Sequence, residues 1–204
     1  RIDLAVAACN LLRVPLDVVG TGPEEKRLRN LAGPTIRFLG FQPDPVIARL
    51  YAACRAFLFP QEEDFGITPL EAAAAGRPVV AYRSGGALET VVEGETGVFF
   101  EEQSAGSLAA AMEKALTMTW NPQRIRLHAL QFDIPQFQEK FLAALRACWH
   151  AWPRKRYGVI EPPGWGPPAD LGAIRKGPQD WASDTSVHTR ELALSARREI
   201  LRVR

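Results

Sequence analysis

Short continuous apolar runs alternate with segments of helical apolar spacing over the first 152 residues of this 204-residue chain. Such runs predict strands of a parallel sheet that is buried on both faces, because a half-exposed strand would alternate apolar with polar residues. The intervening helices would form right-handed crossovers. The predicted strands are residues 16–19, 35–41, 57–59, 78–82 and 96–100. The predicted helices are residues 2–12, 23–31, 44–53, 104–118, 122–130 and 132–152. Two further short helices are predicted, one opened by Thr68-Pro69 and one containing Glu89. The pattern therefore predicts an α/β fold, a Rossmann-like parallel sheet with helices on both faces.

The amino-acid composition of the chain changes at Pro153. Residues 162–168 read Pro-Pro-Gly-Trp-Gly-Pro-Pro, which excludes a helix or a central strand. Residues 1–152 carry 15 basic and 17 acidic side chains, whereas residues 153–204 carry 10 and 6, so the second part is the basic one. We predict a domain over residues 1–152, followed by a Pro/Gly-rich linker and a basic tail over 153–204. Within that tail, residues 185–203 have helical apolar spacing, which suits a solvated segment or a helix docked peripherally on a membrane.

Composition excludes several classes of protein. The chain has no run of 18 apolar residues and no export signal, so we expect a cytoplasmic protein, with the inner face of the membrane as an alternative location. Three cysteines, Cys9, Cys54 and Cys148, lie far apart in apolar helical patterns, which predicts buried free thiols. Histidines without paired spacing predict no metal site, and arginines without interleaved aromatic residues give no nucleic-acid signature.

The stretch from Phe57 to Val80 carries the candidate chemistry. An apolar strand ends at Pro60, an acidic loop with a glycine follows, and a short alanine-rich helix comes next. In a parallel sheet, ligands bind outside the carboxyl ends of strands, where loop amides and helix N-termini attract anions. Two glutamates, Glu63 and Glu71, stand at such a position with seven residues between them.

Each of these glutamates also has a purely structural interpretation. Thr68-Pro69-Leu70-Glu71 has the form of a capping box, in which Glu71 would only cap its own helix. Glu63 belongs to the acidic run Glu62-Glu63-Asp64, and charge runs are usually solvated.

Three glycine turns follow other predicted strands. Gly20-Thr21-Gly22 follows the first strand, Leu39-Gly40 closes the second, and Gly85-Gly86 precedes the helix that contains Glu89. Consecutive amides in the Gly85-Gly86 turn are suited to hold a phosphate. Any α/β unit needs such turns, so none of them identifies a ligand alone.

The stretch from Glu63 to Glu71 resembles the signature of family 4 retaining glycosyltransferases, which have two Rossmann-like domains (the GT-B fold). Three further blocks match that family in order and spacing: residues 76–81 (Gly-Arg-Pro-Val-Val-Ala), 84–89 (Ser-Gly-Gly-Ala-Leu-Glu) and 94–98 (Gly-Glu-Thr-Gly-Val). The similarity extends as far as the helix predicted at residues 132–152. Within the family, the sequence looks most like bacterial mannosyltransferases of surface-polysaccharide assembly.

The resemblance implies transfer of a hexose, with mannose as a candidate, from a nucleotide diphosphate sugar to a hydroxyl of a glycan or lipid-linked acceptor. Glu63 would contact the hexose as the catalytic residue, and Glu71 would bind the ribose hydroxyls. The family needs no metal and no cofactor other than the co-substrate, GDP-mannose or a UDP-hexose. The other donor-binding positions would be Asp64, Phe65, Gly66, Ile67, Thr68, Gly20, Gly22, Leu39, Gly40, Gly85 and Gly86.

The resemblance also implies parts that these 204 residues do not include. Family members place an Arg and a Lys, which neutralise the donor diphosphate, just before the helix that begins here at Ile2, so both positions are expected outside this sequence. Arg1 is a candidate for part of that role, although its register matches a different family position. The N-terminal Rossmann domain, with the acceptor site and usually a catalytic histidine, is likewise expected outside this sequence. We therefore predict the donor half of a larger enzyme.

Two alternatives stay open. A non-catalytic nucleotide-sugar-binding fragment would have the same donor site. A phosphorylase or sugar-nucleotide epimerase would keep the architecture, but a phosphorylase needs a lysine for pyridoxal phosphate, and Lys114 and Lys140 are predicted on exposed helix faces.

Overall fold

The structure, a computed structural model, describes residues 1–151 and 200–203. The predicted linker over 153–182 and the segment 185–199 lie outside the described residues. The helices are α1 (Ile2–Leu12), α2 (Glu25–Leu31), α3 (Asp44–Ala53), α4 (Ile67–Ala74), α5 (Ala87–Thr90), α6 (Ala105–Thr117), α7 (Pro122–Ala129) and α8 (Ile134–Ala151), with a 3₁₀ turn at Leu130–Phe132. The strands are β1 (Leu16–Val19), β2 (Ile36–Gly40), β3 (Ala56–Phe59), β4 (Val79–Tyr82), β5 (Gly97–Phe100) and β6 (Ile200–Val203).

The strands form one sheet with the order β2-β1-β6-β3-β4-β5. The pairs β1–β2, β3–β4 and β4–β5 are parallel, which confirms the predicted α/β class. β6 lies between β1 and β3 and is antiparallel to both, so the helix predicted over residues 185–203 is wrong for Ile200–Val203. Four residues of β6 pair with β1, but only Arg202 and Val203 pair with β3. The sheet is therefore less tightly joined between β6 and the carboxyl end of β3.

Alternate residues of each buried strand pack on opposite faces of the sheet, as the two-residue period of a strand requires. Leu16, Leu58 and Val80 belong to one apolar cluster, with residues of α1, α2 and α6. Phe57, Phe59 and other strand residues belong to a second cluster, with residues of α3, α4 and α5. Helices thus cover both faces of the sheet, as predicted, and α7 packs on α4 through Ala73 and Ile125.

The chain divides into two compact units, one of residues 1–131 with 189–204 and one of residues 132–188. The sheet and all the candidate residues belong to the first unit. The boundary predicted between residues 152 and 153 falls where the described residues end, and it stays a prediction.

Helix α8, in the second unit, differs from its prediction. Its apolar spacing predicts a packed helix, yet Phe137 is 63% exposed, and Phe141 and Leu145 are also exposed. The rings of Phe137 and Phe141 stack on each other at 5.7 Å, since residues four apart are neighbours on a helix surface.

The thiols differ in burial. Cys9 and Cys54 are buried as predicted, whereas Cys148, on α8, is exposed, which corrects the expectation for that residue. Burial raises the pKa of the Cys9 thiol to about 12, because desolvation penalises the thiolate.

We expect a maleimide at pH 8 to alkylate Cys148 within minutes and to leave Cys9 and Cys54 unmodified, because the thiolate is the nucleophile and buried thiols are inaccessible. Mass spectrometry of the intact protein would show one adduct in buffer and three in urea, one for each cysteine. Rapid modification of Cys9 in buffer would contradict the packing of α1 against the sheet.

Candidate functional site

The candidate residues lie where the direction of chain winding reverses. From β1 the chain winds outwards to β2, and from β3 it winds outwards the other way to β4 and β5. Open α/β sheets bind ligands outside the carboxyl ends of the strands at such a switch point, because the loops diverge there and leave a crevice. The loops after β1 and β3 lie at this edge of the sheet, with β6 between the two strands.

The loop after β3 reverses the chain over the ring of Phe59. Phe59 is fully buried at the end of β3, and Gly66 begins α4 with a φ of 80°. A Cβ at Gly66 would lie 2.9 Å from Cζ of Phe59, so both the backbone conformation and the close approach favour glycine. Thr68 and Pro69 lie inside the first turn of the helix rather than at its cap, so the capping-box interpretation of Glu71 is wrong.

Glu71 faces the protein interior near the start of α4. Its side chain is 8% exposed, and its Oε2 accepts a hydrogen bond of 3.0 Å from the hydroxyl of Tyr51 on α3. The ring of Tyr51 packs edge-on against Phe57, with 5.7 Å between the ring centroids. A carboxylate is therefore held in a fixed place between two helices.

Glu63 is exposed, in contrast to Glu71, and it lies in the loop before α4. Its Oε1 accepts a hydrogen bond from the side-chain amide of Gln61 at 3.0 Å, and its backbone carbonyl accepts one from the Gly86 amide at 2.8 Å. The second bond ties the loop after β3 to the loop after β4.

The Gly85-Gly86 turn permits this contact between the two loops. A Cβ on Gly85 would lie 2.3 Å from the Glu63 carbonyl oxygen, and one on Gly86 would lie 2.4 Å from Cα of Phe65. Glycine is required at both positions because backbone occupies the space of a side chain. The Gly86 amide bonds within the protein; donor binding by this turn stays a prediction.

The glycines after β1 and β2 meet at the same edge of the sheet. Gly20 donates a backbone hydrogen bond of 2.9 Å to the carbonyl of Gly40, and the φ angles of Gly20 and Gly40 are 113° and 64°. The Leu39 carbonyl accepts a bond from the Gln42 side chain at 2.6 Å. A Cβ on Gly40 would meet no atom within 4 Å, so the surface over Gly40 is open.

A cavity of about 300 Å³ lies beside Glu63 at the carboxyl end of β3. Its lining comprises Arg1, Ile2, Phe57, Leu58, Gln61, Glu62 and Glu63. Of its two β3 residues, Phe57 pairs with Arg202 of β6, whereas Leu58 has no partner on β6. Arg1 donates to Asp3 at 3.0 and 3.1 Å, and this hydrogen bond raises the pKa of Arg1 and lowers that of Asp3. Arg1 thus lines the cavity as one half of an ion pair with Asp3, beside the carboxylates of Glu62 and Glu63.

The structure brings the predicted residues to one edge in two groups. In the first group, Glu63, Asp64 and Phe65 contact the Gly85-Gly86 turn, and Gly66, Ile67, Thr68 and Glu71 follow them at the start of α4. In the second group, Gly20 bonds to Gly40, next to Leu39, and Gly22 lies in the turn after β1. Sequence reasoning did not identify the hydroxyl of Tyr51 as part of this site. Within residues 1–151 and 200–203, no three His, Cys, Asp or Glu side chains are grouped as metal ligands. In the same residues, no helix has the length and apolar character needed to cross a bilayer.

Curated relatives match parts of this chain. An α-1,3/1,6-mannosyltransferase of Neurospora crassa is 51% identical over 57 residues, which are 28% of this chain and 12% of the relative. A D-inositol 3-phosphate glycosyltransferase of Corynebacterium aurimucosum is 36% identical over 105 residues, 48% of this chain and 24% of the relative. A glycogen synthase of Mycobacterium tuberculosis is 35% identical over 123 residues, which are 55% of this chain and 30% of the relative. The chain therefore spans less than a third of the length of these relatives.

Solved structures share the fold. Sucrose-phosphate synthase of Thermosynechococcus elongatus aligns with a TM-score of 0.57 and 27% identity, over 74% of this chain and 43% of that one. An Anabaena protein crystallised with UDP and glucose aligns with a TM-score of 0.56 and 24% identity, over 70% of this chain and 44% of that one. The sequence profile described as Glycosyl transferases group 1 matches residues 1–129, more than half of the 204 residues. The chain belongs to the family of group 1 glycosyltransferases.

Proposed function

We propose that residues 1–131 form the donor half of a retaining glycosyltransferase, which transfers a hexose from a nucleotide diphosphate sugar to an acceptor hydroxyl. The observation that carries this proposal is the pair Glu63 and Glu71 in one segment at the switch point, with Glu71 buried and Glu63 exposed beside the cavity. One carboxylate is thus placed to bind a fixed part of the ligand and the other to meet the group that is transferred.

In this proposal, Glu71 accepts hydrogen bonds from the two ribose hydroxyls. A carboxylate has two oxygens with about four lone-pair sites, so it can accept from a diol and from a protein donor together. Charge-assisted bonds of this kind are about twice as strong as neutral ones. The base would lie towards Leu39 and Gly40, where the surface is open.

Glu63 is proposed to contact the hexose hydroxyls, since the cavity beside it has room for a sugar ring. Transfer with retention requires the sugar to be oriented and the negative charge of the leaving diphosphate to be stabilised. Amides near the start of α4 and the cation of Arg1 are suited to that charge. The chain's own groups then supply orientation and electrostatics without a metal.

The identity of the hexose is a finer proposal. The local match to a mannosyltransferase of Neurospora crassa favours mannose, whereas the Anabaena neighbour was crystallised with UDP and glucose. The donor candidates are GDP-mannose and UDP-hexoses. A glycan or lipid-linked acceptor, in surface-polysaccharide assembly, would be held by a second Rossmann-like domain.

The test is calorimetric titration of this chain with GDP-mannose, UDP-glucose and UDP-N-acetylglucosamine. We expect one of them to bind, and Glu71→Ala to weaken that binding by about 10- to 100-fold, because the lost bonds to a charged group contribute about 1.5–3 kcal/mol. The matched control is Glu113→Ala, which removes an exposed glutamate on α6 and is expected to bind as the parent does.

Glu63→Ala separates the two glutamates. We expect it to weaken binding of the sugar nucleotide while binding of the corresponding nucleoside diphosphate stays unchanged. If no sugar nucleotide binds the parent, or if Glu71→Ala binds as well as the parent, the proposed donor site is wrong. Binding without transfer, even with a complementary acceptor domain, would favour a non-catalytic nucleotide-sugar-binding protein.

A further inference from the structure

The hydroxyl of Tyr51 contacts Glu71, and the proposed function gives this contact no role. It donates to Oε2 of Glu71 at 3.0 Å from the neighbouring helix α3, and Tyr51 is only 2% exposed. We propose that Tyr51 is a positioning residue that sets the orientation of the Glu71 carboxylate for the ribose of the nucleotide. This inference rests on the proposed function, because it concerns the same site.

The position of the hydroxyl is set by packing on the core of the sheet. The Tyr51 ring meets Phe57 edge-on at an angle of 67°, and Phe57 in turn stacks on Phe59, with 6.5 Å between their centroids. All three rings belong to one buried cluster. A phenol held in this way cannot follow the carboxylate if the carboxylate rotates, so it favours a single rotamer of Glu71.

A neutral donor suits this task better than a cation would. An arginine would engage both oxygens of a carboxylate in a bidentate pair and would cancel its charge. A tyrosine hydroxyl uses one of about four lone-pair sites and leaves the negative charge in place. The charge of Glu71 is thus kept while the bond to Oε2 sets the orientation of the carboxylate.

Recognition of a cis-diol by one carboxylate depends on this orientation, because both hydroxyls must meet the acceptor at hydrogen-bond distance at once. A small rotation of the carboxylate would keep one bond and lose the other. Loss of the Tyr51 hydroxyl should therefore weaken ribose recognition specifically, whereas a purely structural tyrosine would affect every ligand of the site alike.

The experiment compares UDP and GDP with their 2′,3′-dideoxy analogues, which lack the diol. Dissociation constants are measured by calorimetry for the parent, Tyr51→Phe, Glu71→Ala and the double variant. For the nucleotide that binds, we expect the parent to bind the ribose form about tenfold or more tightly than the dideoxy form, because the dideoxy form cannot donate hydrogen bonds to the charged carboxylate of Glu71. Tyr51→Phe should reduce that preference about three- to tenfold and leave the affinity for the dideoxy form unchanged.

The double variant tests whether Tyr51 acts through Glu71. In the Glu71→Ala background the loss of the Tyr51 hydroxyl should leave the ribose preference unchanged, since residues that act as a unit are not additive. The matched control is Tyr82→Phe, at the end of β4, where the ring packs against Phe100; we expect no change in preference. Circular dichroism of each variant confirms that the fold is kept.

The outcomes separate this inference from the proposed function. An equal loss of affinity for the ribose and dideoxy forms in Tyr51→Phe, while Glu71→Ala abolishes the preference, overturns the role of Tyr51 alone. A parent that binds neither nucleotide overturns the proposed function and this inference together.

Discussion

Gly86→Ala is expected to lower the free energy of unfolding by about 3 kcal/mol, the upper end of the usual cost of overpacking, because backbone atoms occupy the space of the added methyl group. It is also expected to abolish nucleotide-sugar binding. The added Cβ would lie 2.4 Å from Cα of Phe65 and 2.5 Å from the carbonyl oxygens of Asp64 and Phe65. These are backbone atoms, which no side-chain rotation can move aside. The loop after β3 must therefore shift away, and Glu63 shifts with it.

Urea denaturation measures the change in stability, and titration with the sugar nucleotide measures the change in binding. The matched control is Gly106→Ala in α6, where a Cβ would meet no atom within 4 Å. There alanine should change the free energy of unfolding by no more than about 0.5 kcal/mol, because Gly106 lies exposed in the first turn of α6. A Gly86→Ala protein that unfolds at the parent's urea concentration would show that the loops after β3 and β4 do not touch as described.

The sequence predicts most of the sheet because its buried strands are short, apolar and bounded by glycine or proline. The predicted and observed bounds agree within two residues for β1 to β5. The start of α4 differs because Gly66 serves as N-cap with a positive φ, a conformation that the Thr68-Pro69 pattern hides. The same local shift removes the capping role of Glu71 and leaves its side chain free to face the interior.

Contacts between distant residues are what the sequence could not supply. The spacing of Tyr51 predicts burial but not that its hydroxyl meets a carboxylate 20 residues later. Ile200–Val203 fits a helical period, yet it pairs with β1 and β3, because strand formation depends more on available partners than on local preference. Residues matched by family resemblance lie at the expected edge, whereas the residues that hold them there are visible only in the structure.

Phe59→Ala is expected to lower the free energy of unfolding by about 3–5 kcal/mol, the usual cost of removing a buried aromatic ring and leaving a cavity. The ring of Phe59 is fully buried and lies under Gly66, at the turn that separates Glu63 from Glu71. Its loss removes the support of that turn, so we also expect weaker binding of the sugar nucleotide at temperatures where the variant stays folded. Thermal and urea unfolding measure the first effect, and titration measures the second.

The matched control is Phe41→Ala, since Phe41 is 80% exposed and its removal should change stability by no more than about 0.5 kcal/mol. Phe59→Leu refines the test, because it keeps most of the apolar volume and should cost less than about 1.5 kcal/mol. If binding depends on support of the Gly66 turn, affinity for the sugar nucleotide should decrease from the parent to Phe59→Leu and further to Phe59→Ala. A Phe59→Ala variant that is destabilised yet binds at full affinity would show that the Glu63 loop is held by the Gly85-Gly86 contact alone.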